Sequence, residues 1–352
     1  MNKLFFKRQT WLAFMILTTA GLLHAQTPST NVTPSSTDLA SLERNGKRDA
    51  RVHDPSTMVK CKDEYWLFAT GVGVSSWRST DLLRWERGPR LIPTLPAWIT
   101  NVVAGHRGYF WAPDVIYHAG SYRLYYSVSK FGLNTSAIAL ASSPTLDPAD
   151  PDYHWTDRGI VIQSDKSSNF NAIDPQVLLT PDGGLWLTFG SYWSGIKLIQ
   201  LDPLTGKRLA PDSPMHSLAY NQNIEAPCIH YHAGYFYLFV NWGVCCRGVD
   251  STYNIRVGRS REITGPYLDR DGAALMKGGG TLLLATDGAF VGPGHAGIFE
   301  EKGRSWFTCH FYDRTQRGAS LLAIRPLRWN ADGWPELEDN AASNLPVPRQ
   351  PR

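Results

Sequence analysis

The sequence predicts an all-β protein folded as a five-bladed β-propeller. A short apolar strand begins five times just after a polar residue, in a tight step that contains Pro or Gly. Each start leads into a similar hairpin, in which a turn with Gly or Asp precedes an aromatic-rich strand. Self-similarity at a period of roughly 50–70 residues, in units made of hairpins, is typical of a propeller. The five starts are 53–56, 111–114, 173–176, 224–227 and 294–297.

The blades can be followed strand by strand. Two hairpins, 117–126 and 231–240, are close copies built around the sequence Tyr-His-Ala-Gly. Apolar runs enriched in β-branched and aromatic residues predict second strands, such as 185–190, and third strands, such as 253–258. No helix of convincing length is predicted. Five blades of four strands therefore account for a propeller domain over residues 49–340.

The two ends of the chain lie outside the repeats. Residues 1–25 have the basic start, the uncharged apolar stretch and the small-residue cleavage site of a signal peptide. That stretch is short for a membrane span, so we expect cleavage rather than a retained anchor, and a secreted or periplasmic protein. Residues 26–48, rich in Ser, Thr and Pro, predict a flexible leader. Residues 341–352 are interpreted as a C-terminal tail.

The charge balance argues against a polyanionic partner. The formal net charge is +4, and removing Lys3, Lys7 and Arg8 with the signal peptide leaves +1. A nearly neutral chain has no electrostatic footprint for nucleic acid or anionic lipid. We therefore expect a soluble monomer with neither a nucleic-acid nor a membrane partner.

Five cysteines are few for an exported protein of this size, and their number is odd. Cys61, Cys228 and Cys309 each fall in an apolar strand of a different repeat, which predicts buried thiols. Cys245 and Cys246 are adjacent. An oxidising compartment could join them in a strained ring, or they could be two thiols in a loop.

The channel-facing strand starts carry the candidate functional residues. The first strand of each propeller blade lines the central channel, so equivalent starts meet at one mouth. We expect that mouth to carry Asp54, Asp174, Glu225 and His295, with Ala112 in the remaining blade. A turn needs Pro or Gly but no charge, and burying an unpaired acid costs several kcal/mol. Converging acids therefore indicate a functional site.

The residue types at this mouth point to carbohydrate chemistry. Two carboxyl groups, one protonated and one ionised, are the minimum apparatus for hydrolysis of a glycosidic bond, and a third acid can keep the pair in opposite states. The chain also has 13 Trp, 15 Tyr and 14 Phe, and flat rings stack on the CH faces of sugars. Trp111, Tyr192 and Trp193 lie at or just after channel-facing starts. For each of these aromatic side chains taken alone, the alternative is that it packs in the core and does not contact a sugar.

Several segments, in register over about residues 50–335, resemble the inverting glycoside hydrolases of family 43. They are His-Asp-Pro-Ser (53–56), Trp-Ala-Pro-Asp (111–114), Asn-Ala-Ile-Asp-Pro (171–175), Phe-Gly-Ser-Tyr-Trp-Ser-Gly (189–195) and Ile-Glu-Ala-Pro (224–227). The runs 243–255 and 292–295 resemble the endo-arabinanase branch of that family. The resemblance implies a five-bladed propeller and cleavage of a neutral polysaccharide.

The resemblance implies a role for each acid. Asp54 is similar to the general base that activates the attacking water, and Glu225 to the general acid that protonates the leaving oxygen. Asp174 is similar to the third acid, which raises the pKa of Glu225 and orients it. For Asp54 or Asp174 alone, the alternative is an Asp that caps a turn before Pro.

His295 is similar to the family's histidine beside a metal, usually calcium, which water mostly holds in the channel. A hydrogen-bonded channel histidine is the alternative. Four further histidines show no ligand spacing and are interpreted as structural; they are His53, His230, His232 and His310.

Further residues are expected to contact the substrate. Gly132, Asn171, Ser191, Tyr192 and Trp193 match family positions that line sugar subsites, and Trp111 joins them as an exposed ring. The adjacent pair Cys245–Cys246 could present a disulfide as a flat apolar plate under a sugar.

We therefore expect an endo-1,5-α-L-arabinanase that cleaves arabinan. Alternatives within the family are an α-L-arabinofuranosidase and a β-xylosidase. A retaining fructan hydrolase on a similar propeller is disfavoured, because Ile173-Asp174 and Glu225-Ala226 stand where that group shows Arg-Asp-Pro and Glu-Cys. A non-catalytic sugar-binding propeller would not require three converging acids. Whether cleavage is internal or proceeds from one end is not indicated by the sequence.

Overall fold

The computed structural model describes residues 50–338, and these residues form a five-bladed β-propeller. The predicted fold class is confirmed. The predicted signal peptide (1–25), leader (26–48) and tail (341–352) lie outside the described residues. No helix among residues 50–338 is long and apolar enough to cross a membrane.

Each blade is an antiparallel sheet whose strands follow one another along the chain. In chain order the strands are β1 (Val59–Cys61), β2 (Glu64–Ala69), β3 (Gly71–Val72), β4 (Ser75–Ser79), β5 (Glu86–Arg87), β6 (Tyr109–His118), β7 (Ser121–Val128), β8 (Ser136–Ser143), β9 (Thr156–Ser164), β10 (Gln176–Leu179), β11 (Leu185–Phe189), β12 (Ile196–Leu201), β13 (Met215–Ala219), β14 (Ile224–His232), β15 (Tyr235–Trp242), β16 (Asn254–Ser260), β17 (Thr281–Leu284), β18 (Phe290–Glu301), β19 (Arg304–Asp313), β20 (Ala319–Trp329) and β21 (Pro335–Leu337).

The strands divide into five sheets. Blade 1 has the order β1-β2-β4-β5, and blades 3, 4 and 5 consist of β10–β13, β14–β17 and β18–β21. Blade 2 is β6-β7-β8-β9, to which the two-residue strand β3 adds a fifth member beside β6. Among residues 50–338 the helices are short. They are α1 (Ile99–Val102) and three single 3-10 turns at 248–250, 275–277 and 314–316.

The apolar core is divided among the interfaces between blades. Five clusters of buried residues fill the interfaces of blades 1–2, 2–3, 3–4, 4–5 and 5–1. The segment 50–52 closes the ring, because Val52 N–H donates to Ser320 O (3.2 Å) and Leu322 N–H to Ala50 O (3.1 Å), both in blade 5. A closed ring leaves the five inner strands facing one channel.

The chain bends sharply at one residue in each inner strand or just before it. This residue has positive φ in every blade although none of the five is Gly; they are Asp54 (53°), Ala112 (26°), Asp174 (58°), Ala226 (52°) and His295 (62°). A left-handed conformation costs a residue with a side chain about 1–3 kcal/mol, so such positions concentrate where function requires them. The pairing of blades 2, 4 and 5 also shifts register here, as in a β-bulge.

This repeat corrects the sequence-based alignment of one acid. Glu225 does not occupy the bent position, or slot, that Asp54 and Asp174 occupy. Ala226 occupies it, because Pro follows Ala226 as it follows those two residues. Glu225 stands one residue earlier, in the slot of Trp111. Both residues pair with the second strand in the same way, Trp111 with Ser127 and Glu225 with Asn241.

A second ring of residues fixes these bends. In four blades the backbone N–H of the bent residue donates to a side chain at the end of the preceding blade's second strand; the acceptors are Thr70, Ser127, Asn241 and His310. In blade 3 that position is Gly190, which has no side chain to offer. The N–H of Ala226 donates instead to Asp174 Oδ2 (3.1 Å).

Candidate active site

A cavity of about 990 Å³ opens at the mouth of the channel, and all five blades contribute to its lining. It contains Asp54, Asp174 and Glu225. It is also lined by every residue predicted to contact the substrate, namely Trp111, Gly132, Asn171, Ser191, Tyr192, Trp193, Cys245 and Cys246. His295 is buried beside Asp54 and does not line the cavity.

Asp54 is held by one of its two carboxylate oxygens. Oδ2 accepts a hydrogen bond from Thr70 Oγ1 (2.6 Å) and lies 2.8 Å from Nδ1 of His53. Burial acts to raise the pKa of Asp54, but the attraction and hydrogen bond of His53 outweigh it and hold that pKa below its ordinary value. The pKa of His53 is raised in turn, because Asp54 outweighs the effect of burial. Asp54 is therefore ionised.

Oδ1 of Asp54 has more distant neighbours. The Nδ1 atoms of His295 and His310 lie 3.6 and 3.8 Å away, beyond hydrogen-bonding distance. His310 Nδ1 already accepts the N–H of Asp54 (3.1 Å), so its proton is on Nε2. Burial lowers the pKa of both His295 and His310, which keeps the two rings neutral. Oδ1 can therefore accept a proton from a water in the cavity.

Glu225 is buried and accepts hydrogen bonds from two hydroxyl groups. Ser191 Oγ donates to Oε2 (2.7 Å), and the hydroxyl of Tyr253 donates to Oε1. Burial raises the pKa of Glu225 and the negative charge of Asp54 adds to this effect, whereas the two hydroxyl groups oppose it. Its pKa remains above the ordinary value for Glu, as a group that donates a proton requires.

Asp174 is buried and responds to the charges of both other acids. Burial raises its pKa well above the ordinary value, and the charges of Glu225 and then Asp54 add to this effect. The N–H of Ala226 partly opposes it by donating to Oδ2. Asp174 and Glu225 are thus two coupled buried carboxyl groups that do not ionise together easily, whereas Asp54 is already charged.

Cys245 and Cys246 form a disulfide at the cavity surface. The structure thus decides between the two states that the sequence leaves open. Cys61, Cys228 and Cys309 are buried thiols, as predicted. Cys61 packs between blades 1 and 2, and the other two pack between blades 4 and 5.

Several apolar side chains at the rim are missing from the sequence-based set. Phe131 is 80% exposed, and Leu133, Tyr109 and Tyr220 are each exposed by 41–52%. All four line the cavity. Large exposed apolar groups around a polar cleft are typical of a ligand-binding surface. Exposure could not be read from the sequence, since aromatic residues are frequent throughout it.

The structure also shows that His53 and His310 belong to the site. They are interpreted from the sequence as structural, yet both contact Asp54, and their rings stack with centroids 4.1 Å apart. Tyr312 extends the group, because its hydroxyl lies 2.7 Å from Nε2 of His53. Their position in the repeat could have indicated this role. The predicted second strands 65–70, 185–190 and 305–310 end at Thr70, Gly190 and His310, so these residues must meet near the bends.

The surroundings of His295 allow a test of the expected calcium ion. Calcium takes six to eight oxygen ligands. The groups around His295 are mainly imidazoles, and the one carboxylate, that of Asp54, is already bonded through Oδ2. The described residues therefore do not form an oxygen-rich calcium cage. They fit only an ion that takes one nitrogen from His295 and its oxygens from water.

Comparison with known proteins identifies the family. The model of the glycosyl hydrolases family 43 matches residues 48–335. The chain belongs to glycosyl hydrolase family 43. This range contains the whole cavity and every strand of the propeller except the last two residues of β21.

The similar proteins differ in their mode of cleavage. One is the extracellular endo-alpha-(1->5)-L-arabinanase 1 of Bacillus subtilis, 40% identical over 94% of this chain and 99% of the relative. Another is the extracellular exo-alpha-(1->5)-L-arabinofuranosidase of Cellvibrio japonicus, 40% identical over 84% of this chain and 88% of the relative. Equal identity to an endo- and an exo-acting enzyme does not distinguish the two modes.

A solved structure of this family contains an oligosaccharide. It is the Cellvibrio cellulosa alpha-L-arabinanase complexed with arabinohexaose, with a TM-score of 0.77 and 39% identity. The match covers 82% of this chain and 95% of that chain. The backbone of the family 43 propeller is thus shared over nearly all of that enzyme.

Proposed function

We propose that this family 43 enzyme is a secreted endo-1,5-α-L-arabinanase that hydrolyses arabinan with inversion. One observation carries the proposal: an ionised Asp54 and a buried, protonatable Glu225 face the same cavity. Inverting hydrolysis needs a carboxylate base and a carboxylic acid in one cleft, with space for water between them. The relatives act on α-1,5-linked arabinose by name, and arabinan is neutral, in agreement with the charge of the chain.

In this mechanism Asp54 is the general base. Thr70 and His53 hold Oδ2, so Oδ1 takes the proton of the attacking water as the water adds to the anomeric carbon. Glu225 is the general acid and gives its proton to the leaving glycosidic oxygen. Because Asp174 and Glu225 do not ionise together easily, the pair holds one proton before the reaction. Asp54 then ends protonated, Glu225 ionised, and both return to their starting states through solvent.

The substrate contacts belong to the same proposal. Gly132, Asn171 and the turn 191–193 line the subsites beside the acids, and Trp111 stacks against a sugar in the slot next to Ala112. The disulfide of Cys245 and Cys246 provides an apolar plate from blade 4. Every blade contributes to the lining, so the cavity has room for several sugar residues beside the acids.

Product analysis tests the reaction and its mode together. Linear, debranched arabinan labelled at its reducing end should first yield a ladder of labelled oligosaccharides. A single short product from the beginning would instead support exo-cleavage, the second candidate, which the Cellvibrio japonicus relative favours. Asp54→Asn should abolish the products but retain binding of arabino-oligosaccharides. Wild-type protein that binds these but releases no product would contradict the enzyme proposal.

We also propose one calcium ion at His295, held otherwise by water. When bound, such an ion would supply positive charge near Asp54. Metal analysis of purified protein and of His295→Gln tests this point without measuring activity. About one calcium per chain in the wild type and none in the variant would support it; equal contents in both would contradict it.

A further inference from the structure

We propose that His230, His232 and Glu300 form a site for a divalent transition-metal ion of the zinc class, away from the cavity. This proposal does not depend on the hydrolytic function. One ligand atom from each of the three side chains lies within 4.8 Å of the others. His230 and His232 are near the end of β14, and Glu300 is near the end of β18. The site therefore joins blades 4 and 5.

The two histidines face the same way because of the strand that carries them. Alternate side chains of a strand point to opposite faces, so residues 230 and 232 share one face. On β14 that face is the one of Cys228, which packs between blades 4 and 5, whereas Ile229 packs between blades 3 and 4. At roughly 3.3 Å per residue, about 16 Å of strand separates His230 from Glu225. The cluster is thus separate from the catalytic acids.

Distances within the cluster fit a metal site. His230 Nε2 lies 3.2 Å from Glu300 Oε1. Tetrahedral zinc with bonds of about 2.0–2.1 Å separates its ligand atoms by roughly 3.3 Å. Ser305 Oγ donates to the same Glu300 oxygen (2.9 Å), which orients the carboxylate as supporting hydrogen bonds do at metal centres.

Trp329 holds the two imidazole rings in place. His232 stacks on it with centroids 4.0 Å apart and an interplanar angle of 5°, and His230 lies 5.8 Å away at 14°. Both imidazoles are therefore almost parallel to one indole and to each other. Such fixed rings lose little conformational entropy when they bind an ion. If the cluster served only for a hydrogen bond between His230 and Glu300, His232 would not need to lie beside them.

The donor set indicates the class of metal. Two imidazoles and one carboxylate suit zinc and its neighbours, whereas calcium and magnesium prefer oxygen ligands throughout. The side chain of Glu300 is 49% exposed, so solvent can supply the fourth ligand and the ion can enter from outside.

The chain contains a natural comparison for this site. Hairpin 117–126 of blade 2 copies hairpin 231–240 of blade 4, and His118 occupies the place of His232. There, however, Ile116 stands in the place of His230, and Leu179 of blade 3 in the place of Glu300. His118 thus has the same local backbone without the other two ligands.

The experiment uses tag-free, chelator-treated protein and zinc chloride alone, with the melting temperature Tm as the readout. At about 100 times Kd, zinc should raise the Tm of the wild type by about 5 °C. His118→Gln and the cavity variant Asp54→Asn should show the same rise. The double variant His230→Gln/His232→Gln should lose the rise but keep the wild-type Tm in the absence of zinc.

Two results would overturn the proposal: no zinc-dependent rise in the wild type, or an equal rise in the double variant. If the double variant does not fold, Glu300→Gln decides the matter, because its side chain is half exposed and its replacement is tolerated easily. A zinc midpoint at least tenfold higher in Glu300→Gln supports the site, and an unchanged midpoint excludes it.

Discussion

Blade 2 and blade 4 are near copies, and they differ most where chemistry is expected. Both inner strands bend at an Ala in the left-handed conformation followed by Pro, and both lead into the same Tyr-His-Ala-Gly hairpin. In the slot before the bent Ala, however, blade 2 has Trp111 and blade 4 has Glu225. The comparison teaches that the repeat fixes where a side chain points, while the residue in the slot decides whether the cavity receives an aromatic ring or a carboxyl group.

The neighbours of the slot differ accordingly. Ser136 of blade 2 and Tyr253 of blade 4 occupy equivalent places where the third strand begins. Ser136 donates to Asn171 in blade 3, whereas Tyr253 donates to Glu225 in its own blade. In blade 4 this position thus donates to the acid of its own blade, in place of the inter-blade contact that blade 2 forms.

The largest effect is expected from exchanging the acid itself. Glu225→Gln removes the proton donor without a change of size, so kcat should fall about 10³-fold, within the range for general acid catalysis. Trp111→Ala, in the equivalent slot of blade 2, should raise KM about tenfold and change kcat only a few-fold, since a stacking surface is lost. Steady-state kinetics on linear arabino-oligosaccharides would separate the two. A fall in kcat of similar size in both variants would contradict the comparison.

The fold and the acids could be predicted from the sequence because both are local signals. Pro or Gly fixes each bend within four residues, and the hairpins repeat in full. The alignment of Glu225 was wrong by one residue because acidity was matched rather than the following Pro. The contacts of Glu225 with Ser191 and Tyr253 join residues that lie 28–34 positions apart, so no short motif contains them.

The roles of His53 and His310 were missed for the same reason. His310 lies 256 residues from Asp54 in the sequence and reaches it only because the ring closes between blades 5 and 1. For Cys245 and Cys246, by contrast, the sequence predicts a place at the cavity, which the structure confirms. It leaves open whether the two thiols are joined, and only the structure shows the disulfide.

A second difference between the blades lies deeper in the channel and concerns stability. Asp114 of blade 2 is buried and accepts the N–H groups of Thr57 in blade 1 (2.8 Å) and Val177 in blade 3 (2.9 Å). The equivalent residue of blade 4 is Cys228. Asp114→Ala leaves two buried N–H groups without an acceptor and should lower the free energy of unfolding by about 3 kcal/mol. Cys228→Ala should lower it by about 1 kcal/mol.

Denaturant unfolding would measure both values, and its pH dependence adds a check. Burial raises the pKa of Asp114 to about 6, above its unfolded value. A group whose pKa is raised by folding contributes most stability at low pH, and that contribution is lost as the pH rises through the folded value. The loss of stability in Asp114→Ala should therefore be larger at pH 5 than at pH 7. An equal loss of stability in Asp114→Ala and Cys228→Ala would contradict the bridging role of Asp114.

The smallest expected effect concerns the donors that surround Glu225. The hydroxyl groups of Tyr253 and Ser191 stabilise its carboxylate and so lower its pKa. Burial raises the pKa of Tyr253 well above its ordinary value, so that this hydroxyl keeps its proton throughout the working range. Tyr253→Phe removes one donor to the carboxylate, which should raise the pKa of Glu225.

Because a general acid works only while protonated, the alkaline limb of the profile of kcat/KM against pH should move upward by the same amount. Ser191→Ala should move this limb in the same direction, and Trp111→Ala, which has no contact of this kind, should leave it in place. A limb that moves to lower pH in Tyr253→Phe would mean that Glu225 is not the group that donates the proton. The hydroxyl groups would then serve only to hold a carboxylate that remains ionised, and blade 4 would differ from blade 2 in binding rather than in catalysis.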